Sequence, residues 1–414
     1  MNQALDNNIV ILGAGFAGLA AAKELEGFGN VSVISPNASF EFFPNIHELV
    51  SGYKRPEEVR LDVSEILAGR QQVFVQEKAV DLDRERQVVI TDSGASYSYD
   101  CLIVAMGGVN NDRGVPGVDE HAFSFKSAAD CYAIGQRLVE LENQNSPYSI
   151  TIVGGGVEGV EALGEVLRKY GGSPHLSIQI VEAEDQFLPG MSREVHREIL
   201  ELCQEFSVSF HFGQRVSEVK HQQVHLSTGE SLASDLTIWT GGVKSHPQLE
   251  AWGLAESGQS PPVNRFLQST LDAHIWIVGD AVDVTGGAEK QAYLALEMGQ
   301  VVSQNVRALL KKGRLTAYQP KSLPSVYSFG NLSCFIVYKD FVLSGLPFAG
   351  VKEAIYQLNM AMIQDIFGHP LRFASTLDRG LKGAIRSLDA FLDSPRSWFA
   401  KFSIGLSVPE IFED

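Results

Sequence analysis

The residues best placed to do chemistry are glycines. Gly13-Ala14-Gly15-Phe16-Ala17-Gly18 follows the apolar run Ile9-Val10-Ile11-Leu12 and leads into the helix-forming stretch Leu19 to Leu25. Gly154-Gly155-Gly156-Val157-Glu158-Gly159 follows Ser149 to Val153 and leads into Val160 to Tyr170. A glycine turn between a buried strand and a helix aims free N–H groups at an anion, above all a phosphate. The first glycine (Gly13, Gly154) permits the tight turn. The second (Gly15, Gly156) lets a pyrophosphate reach the backbone, and the third (Gly18, Gly159) lets helix and strand pack closely. Phe16 opens the first helix beside that anion. The strand after the second loop, Leu176 to Val181, ends in Glu182, which can bond both ribose hydroxyls of an adenosine and repels a 2′-phosphate. NAD is therefore expected there rather than NADP. The matching strand after the first loop, Val31 to Ile34, ends in Ser35, which offers one hydrogen bond.

Two such loops imply two dinucleotides held face to face. Hydride transfer needs donor and acceptor about 3–3.5 Å apart, and a nicotinamide and a flavin are the natural pair. The expected fold is α/β, with two Rossmann-like dinucleotide-binding domains, one for FAD and one for NADH, plus a C-terminal α/β region with amphipathic helices. The expected limits are 1–120 with 262–325 for the FAD domain, 146–260 for the NAD domain and 326–414 for the C-terminal region.

Composition agrees with this reading. At about 150 residues per domain, 414 residues make about three units. A net charge of −17 argues against binding nucleic acid, and 44% apolar residues argue against general disorder. Four scattered cysteines, Cys101, Cys131, Cys203 and Cys334, form neither a disulfide scaffold nor a CxxC metal or redox pair. No metal site is expected. There is no apolar run of 18 residues and no signal-peptide pattern at MNQALDNN, so a cytoplasmic protein is expected.

The chain resembles the two-dinucleotide-binding flavoproteins over about residues 8–340. Ile275 to Val278 followed by Gly279-Asp280 is similar to their strand whose terminal Asp meets the ribityl chain of FAD. Tyr99 to Gly108, with Gly107, and Asp235 to Val243, with Gly242, are similar to the paired returns beside the two cofactors. Phe40 to Gly52 lacks the redox CxxxxC of disulfide reductases. It resembles the F-x-P-L-x-x-E-x-x-x-G stretch of type II NADH dehydrogenases. The thiols that sulfide:quinone oxidoreductases need are missing from 157–163 and from 324–328. Gly159-Val160-Glu161 is similar to the G-V-E of type II NADH dehydrogenases, which implies that Glu161 lies near nicotinamide and flavin. Lys290-Gln291-Ala292-Tyr293-Leu294-Ala295 departs from the bacterial pattern of two glutamines. It is closer to the K-x-A-Y-L-A of ferroptosis-suppressor-type ubiquinone reductases. Glu161, Lys290 and Tyr293 are thus the expected tuning residues at the flavin.

The resemblance implies an FAD-dependent NADH:quinone oxidoreductase. A reductase feeding a ferredoxin or rubredoxin, and an NADH/FAD redox-sensing module, remain open as alternatives. Its relatives also imply a homodimer and peripheral membrane contact through the C-terminal region. Between 366 and 408, six basic residues stand against three acids, together with Trp398, Phe399 and Phe402, which fits contact with the inner face of the cell membrane.

Overall fold

The computed structural model describes residues 7–284, 290–320, 324–338, 341–345 and 347–365. The expected basic C-terminal patch lies outside these residues. The chain divides into two compact units. The first comprises 1–41, 60–109 and 243–321, and the second 42–59, 110–242 and 322–414. This division differs from the expected limits. Residues 243–260 fall in the first unit, and 42–59 and 110–120 in the second.

The first unit is built on a parallel sheet with the strand order Ile275–Ile277, Cys101–Val104, Asn8–Leu12, Asn30–Ile34, Gln72–Val75. Its central strands are apolar runs because both faces are covered, and Ile9, Ile11, Leu102 and Ile103 are fully buried. The helix Phe16–Glu24 leaves the C-terminal end of the central strand, where the strand order reverses. Helix Ala292–Leu310 packs on it through small residues. A Cβ on Gly299 would overlap the Ala17 carbonyl and would meet Ala20 Cβ at 3.1 Å. A three-stranded antiparallel piece, Ala79–Asp83, Val88–Thr91 and Ser96–Ser98, belongs to the same unit.

The second unit repeats the plan. Its sheet runs Phe123–Ser124, Leu236–Trp239, Tyr148–Val153, Leu176–Glu182, Val208–Phe212, all parallel. The helix Val157–Tyr170 again leaves the central strand at the reversal of order. In open α/β sheets that reversal opens the crevice in which ligands sit. An antiparallel piece, Val216–Lys220, Gln223–Leu226 and Ser231–Ala233, is repeated as well. Among the described residues, only the second unit continues into a hairpin sheet, Ser325–Phe329, Ser333–Tyr338 and Phe341–Ser344, and the helix Pro347–Asp365. Gly164 and Gly330 let the helix Val157–Tyr170 touch the end of the first hairpin strand backbone to backbone. A Cβ on Gly164 would lie 2.6 Å from the Phe329 carbonyl carbon. Among the described residues, no helix is long and apolar enough to cross a membrane.

Candidate functional site

The two glycine loops share one geometry. Gly13 has φ +103° and Gly154 φ +109°, values open to glycine but strained for other residues. A Cβ on Gly13 would overlap the Ala105 carbonyl, and one on Gly154 would lie 2.5 Å from Thr240 Oγ1. A Cβ on Gly18 or Gly159 would overlap the carbonyl oxygen of the first glycine in its own loop. The protein itself therefore explains the first and third glycines of each loop. The middle ones are different: nothing lies within 4 Å of a Cβ on Gly15 or Gly156. Each is the N-cap of its helix, and neither helix has a side-chain cap. A helix start that faces open space at a glycine fits a pyrophosphate at both loops.

The surroundings of the two cradles differ. The Phe16 ring packs edge-on against Phe40, 4.9 Å between centroids. Ser35 is buried at the end of its strand and donates its backbone N–H to the Val75 carbonyl at 3.0 Å. In the second loop, Glu182 Oε2 accepts the N–H of Gly155, and Oε1 accepts that of Glu184 at 2.8 Å. The carboxylate is thus fixed against the loop, as a ribose contact requires. Gly107 (φ +67°) and Gly242 (φ +95°) both hold left-handed conformations that favour glycine at the returns.

The Gly279–Ala281 turn places Gly279 beside the start of the first helix, where its Cβ would be 3.4 Å from Ala17 Cβ. Asp280 is therefore brought to the first glycine loop. Lys290 Nζ donates to the Asp280 carbonyl at 3.1 Å and pairs with Asp283 at 3.1 Å. Tyr293 lies in the first turn of Ala292–Leu310, which has no acidic residue and no side-chain cap. That helix end carries the partial positive charge of the helix macrodipole.

Glu161 belongs to the second unit, apart from Lys290 and Tyr293 in the first. It sits in a buried cluster of charges that the sequence reading missed. Lys352 Nζ directs its three hydrogens at Glu161 Oε1 (2.9 Å), Ser328 Oγ (2.8 Å) and His47 Nε2 (3.1 Å). With Nε2 as acceptor, neutral His47 carries its hydrogen on Nδ1, 3.5 Å from Glu161 Oε2. Burial, then Lys352, Arg168 and Lys54, holds His47 well below the usual imidazole range. Burial also raises the Glu161 carboxyl, against the pull of Lys352. Next to them, Lys54 pairs with Glu48 (3.3 Å) and Glu353 (2.8 Å) and lies over the Tyr356 ring. Burial disfavours the Glu48 carboxylate, but Lys54, Lys352, Arg168 and the Asn45 amide together bring it below its ordinary value. Glu165 and Arg168 complete the group. One signal was available: Glu161, Glu165 and Arg168 recur at helical spacing on one face. Their cations, Lys54 and Lys352, come from distant segments.

The four cysteines are all free and buried. Burial pushes the Cys101 and Cys203 thiols up to about 12 and Cys334 to about 11, so none of these three is poised as a nucleophile. Among the described residues, no group of three His, Cys, Asp or Glu could hold a metal ion.

Two parallel sheets, each with a glycine cradle at its strand reversal, define an oxidoreductase fold that handles two dinucleotides. The chain matches the pyridine nucleotide-disulphide oxidoreductase family over residues 7–299 and belongs to it. It is an enzyme of that oxidoreductase class. A type II NADH:quinone oxidoreductase of Staphylococcus aureus strain MSSA476 is 24% identical over 387 residues, covering 84% of this chain and 93% of the relative. That of strain NCTC 8325 is 25% identical over 388 residues, covering 84% and 92%. The fold is shared with the NDH2 of Plasmodium falciparum solved with NADH (TM-score 0.78, 17% identity, 91% of this chain and 99% of that one). It is also shared with the sulfide:quinone oxidoreductase of Aquifex aeolicus (TM-score 0.76, 19% identity, 88% and 94%).

Proposed function

We propose that the protein is an FAD-dependent NADH:quinone oxidoreductase, with FAD at the Gly13–Gly18 loop and NADH at the Gly154–Gly159 loop. The carrying observation is the open space at Gly15 and Gly156, where all neighbouring glycines are explained by packing. The similarity to type II NADH:quinone oxidoreductases supports a quinone as acceptor. Bound FAD would supply the redox chemistry, taking a hydride and passing on two electrons.

The chain's own residues supply the rest. Backbone N–H groups at Phe16 and Val157 neutralise pyrophosphate charge. Glu182 holds the adenosine ribose of NADH and repels a 2′-phosphate. Asp280, next to the first loop, orients the cofactor's sugar chain. Lys290 and the N-terminal turn containing Tyr293 favour negative charge on the reduced ring. Glu161, held by Lys352, supplies a carboxyl able to accept or release a proton. The basic, aromatic stretch at 366–408 is the part proposed to meet the bilayer in which a quinone dissolves.

The experiment is a spectral one. The purified protein should be yellow, NADH should bleach it without oxygen, and a ubiquinone or menaquinone analogue should restore the colour. A protein that cannot be loaded with FAD, or that no quinone reoxidises, overturns the reading.

A further inference from the structure

We propose that Glu165 is a neutral carboxylic acid in the folded protein, and that it supplies the proton which acceptor reduction consumes beyond the hydride. The second half of this statement rests on the quinone reading above.

Three observations carry the first half. Glu165 is wholly buried, on the helix Val157–Tyr170, one turn beyond Glu161. Its Oε2 lies 2.5 Å from Ser51 Oγ, which has a second acceptor, the Glu48 carbonyl, at 3.2 Å and receives the Tyr53 N–H at 3.2 Å. The serine has one hydrogen for two acceptors, and a hydrogen on Glu165 satisfies both. The other oxygen, Oε1, accepts no hydrogen bond. Arg168 Nη2 approaches it at 3.1 Å but directs its hydrogen bond to the Gly330 carbonyl at 2.8 Å. A charged Oε1 would keep the Coulomb attraction of Arg168 but no hydrogen bond, and a neutral carboxyl group tolerates that missing hydrogen bond better.

The third observation is the charge of the cluster. Lys54 pairs with Glu48 and Glu353 and Lys352 with Glu161, while the third cation, Arg168, acts on Glu48 and stands 3.1 Å from Glu165 itself. With His47 neutral, a neutral Glu165 leaves the buried group balanced. The groups that act on Glu165 come from three segments: Arg168 from its own helix, Glu48 and Ser51 from 47–54, and Lys352 from the last described helix; the wider cluster adds His47, Lys54, Glu353, Tyr356 and, beside Lys352 and Glu161, the buried thiol of Cys334. Burial raises the Glu165 carboxyl to about 7, against the pull of Arg168.

Such a group has a use in the proposed reaction. NADH loses a hydride and becomes NAD⁺, while the quinone gains two electrons and two protons to become the quinol. One proton travels with the hydride and the other must be supplied. Residues four apart on a helix are neighbours. Glu165 can therefore pass its proton to the Glu161 region, become the carboxylate partner of Arg168, and take a proton back from solvent.

Infrared spectroscopy of the full-length, flavin-loaded protein reads the proton itself. The carbonyl stretch of a neutral carboxyl group should be present on the acid side and fade as the pH passes about 7. Glu165→Gln should remove that component. A wild-type spectrum with no component fading there overturns the proposal, even if the variant does not fold. Denaturant unfolding gives a second reading with a fixed sign. A carboxyl raised in the folded state keeps a proton that the unfolded chain releases, so stability is lost as pH rises from about 4.5 to about 7. Over that window the unfolding constant of the wild type should rise, relative to Glu165→Gln, by up to about tenfold per pH unit, and level off above it. A constant ratio overturns the proposal.

The role is tested by stopped flow. Reoxidation by a quinone analogue should slow by about a hundredfold in Glu165→Gln, while bleaching by NADH keeps its rate and Glu165→Asp recovers part of the loss. Slowing of both half-reactions, or of neither, overturns the role. If no quinone reoxidises even the wild type, the functional reading fails, and the infrared band still decides the state of Glu165.

Discussion

The chain contains one structural sentence twice, and the two copies diverge in their side chains. In the first unit the helix Phe16–Glu24 reads FAGLAAAKE, and its small residues let another helix close on it. In the second unit, the helix Val157–Tyr170 has Glu161 where the first has Ala20, counting from Gly18 and Gly159. Its charged face meets Lys352 instead of a methyl group. Backbone demands are therefore the same in both copies, because strand, turn and helix must meet in the same way. Chemical demands are not. The first copy buries its helix against another helix, and the second adds titratable groups.

The strongest test of this comparison is a set of four substitutions. Gly18→Ala and Gly159→Ala should both destabilise the protein, at the upper end of the about 1–3 kcal/mol that overpacking costs, since each Cβ meets a backbone carbonyl. Thermal unfolding would show this as a lowered midpoint. Gly15→Ala and Gly156→Ala should fold normally, with Gly15→Ala losing FAD and Gly156→Ala binding NADH about tenfold more weakly. Equal melting losses in all four would show that the middle glycines also serve packing.

A smaller effect is expected from the acid that only the second copy has. Glu182→Ser, which makes the second loop resemble the first, removes hydrogen bonds to a charged group worth about 1.5–3 kcal/mol. The NADH KM should rise, and the preference over NADPH should fall, each by about tenfold or more. An unchanged ratio of NADH to NADPH use would show that Glu182 serves only the loop N–H groups of Gly155 and Glu184.

The smallest effect concerns pH. His47 is held well below 6.5 when folded, while in the unfolded chain it titrates near about 6.5. Below that pH the unfolded chain takes up a proton that the folded protein refuses, so stability falls as pH falls. His47→Gln should remove a dependence of up to about tenfold in the unfolding constant per pH unit. Among the described residues no comparable group lies in the first cradle, and an unchanged pH slope would locate the dependence elsewhere.

The sequence by itself determined the local grammar. Apolar runs gave the central strands, and the glycine spacing predicted both turns and the helices that leave them, since these depend on contacts between near neighbours. The opposite fates of Gly13 and Gly15, one held by packing and one facing open space, needed the surrounding atoms. Ser35 and Glu182 were legible because each ends a strand. Lys352, Lys54 and His47 were not, because a lysine in sequence carries no mark of the carboxylate it will neutralise. Only tertiary structure brings residues 47, 54, 161, 165, 168 and 352 into one buried group. There, loss of water makes each charge depend on all the others.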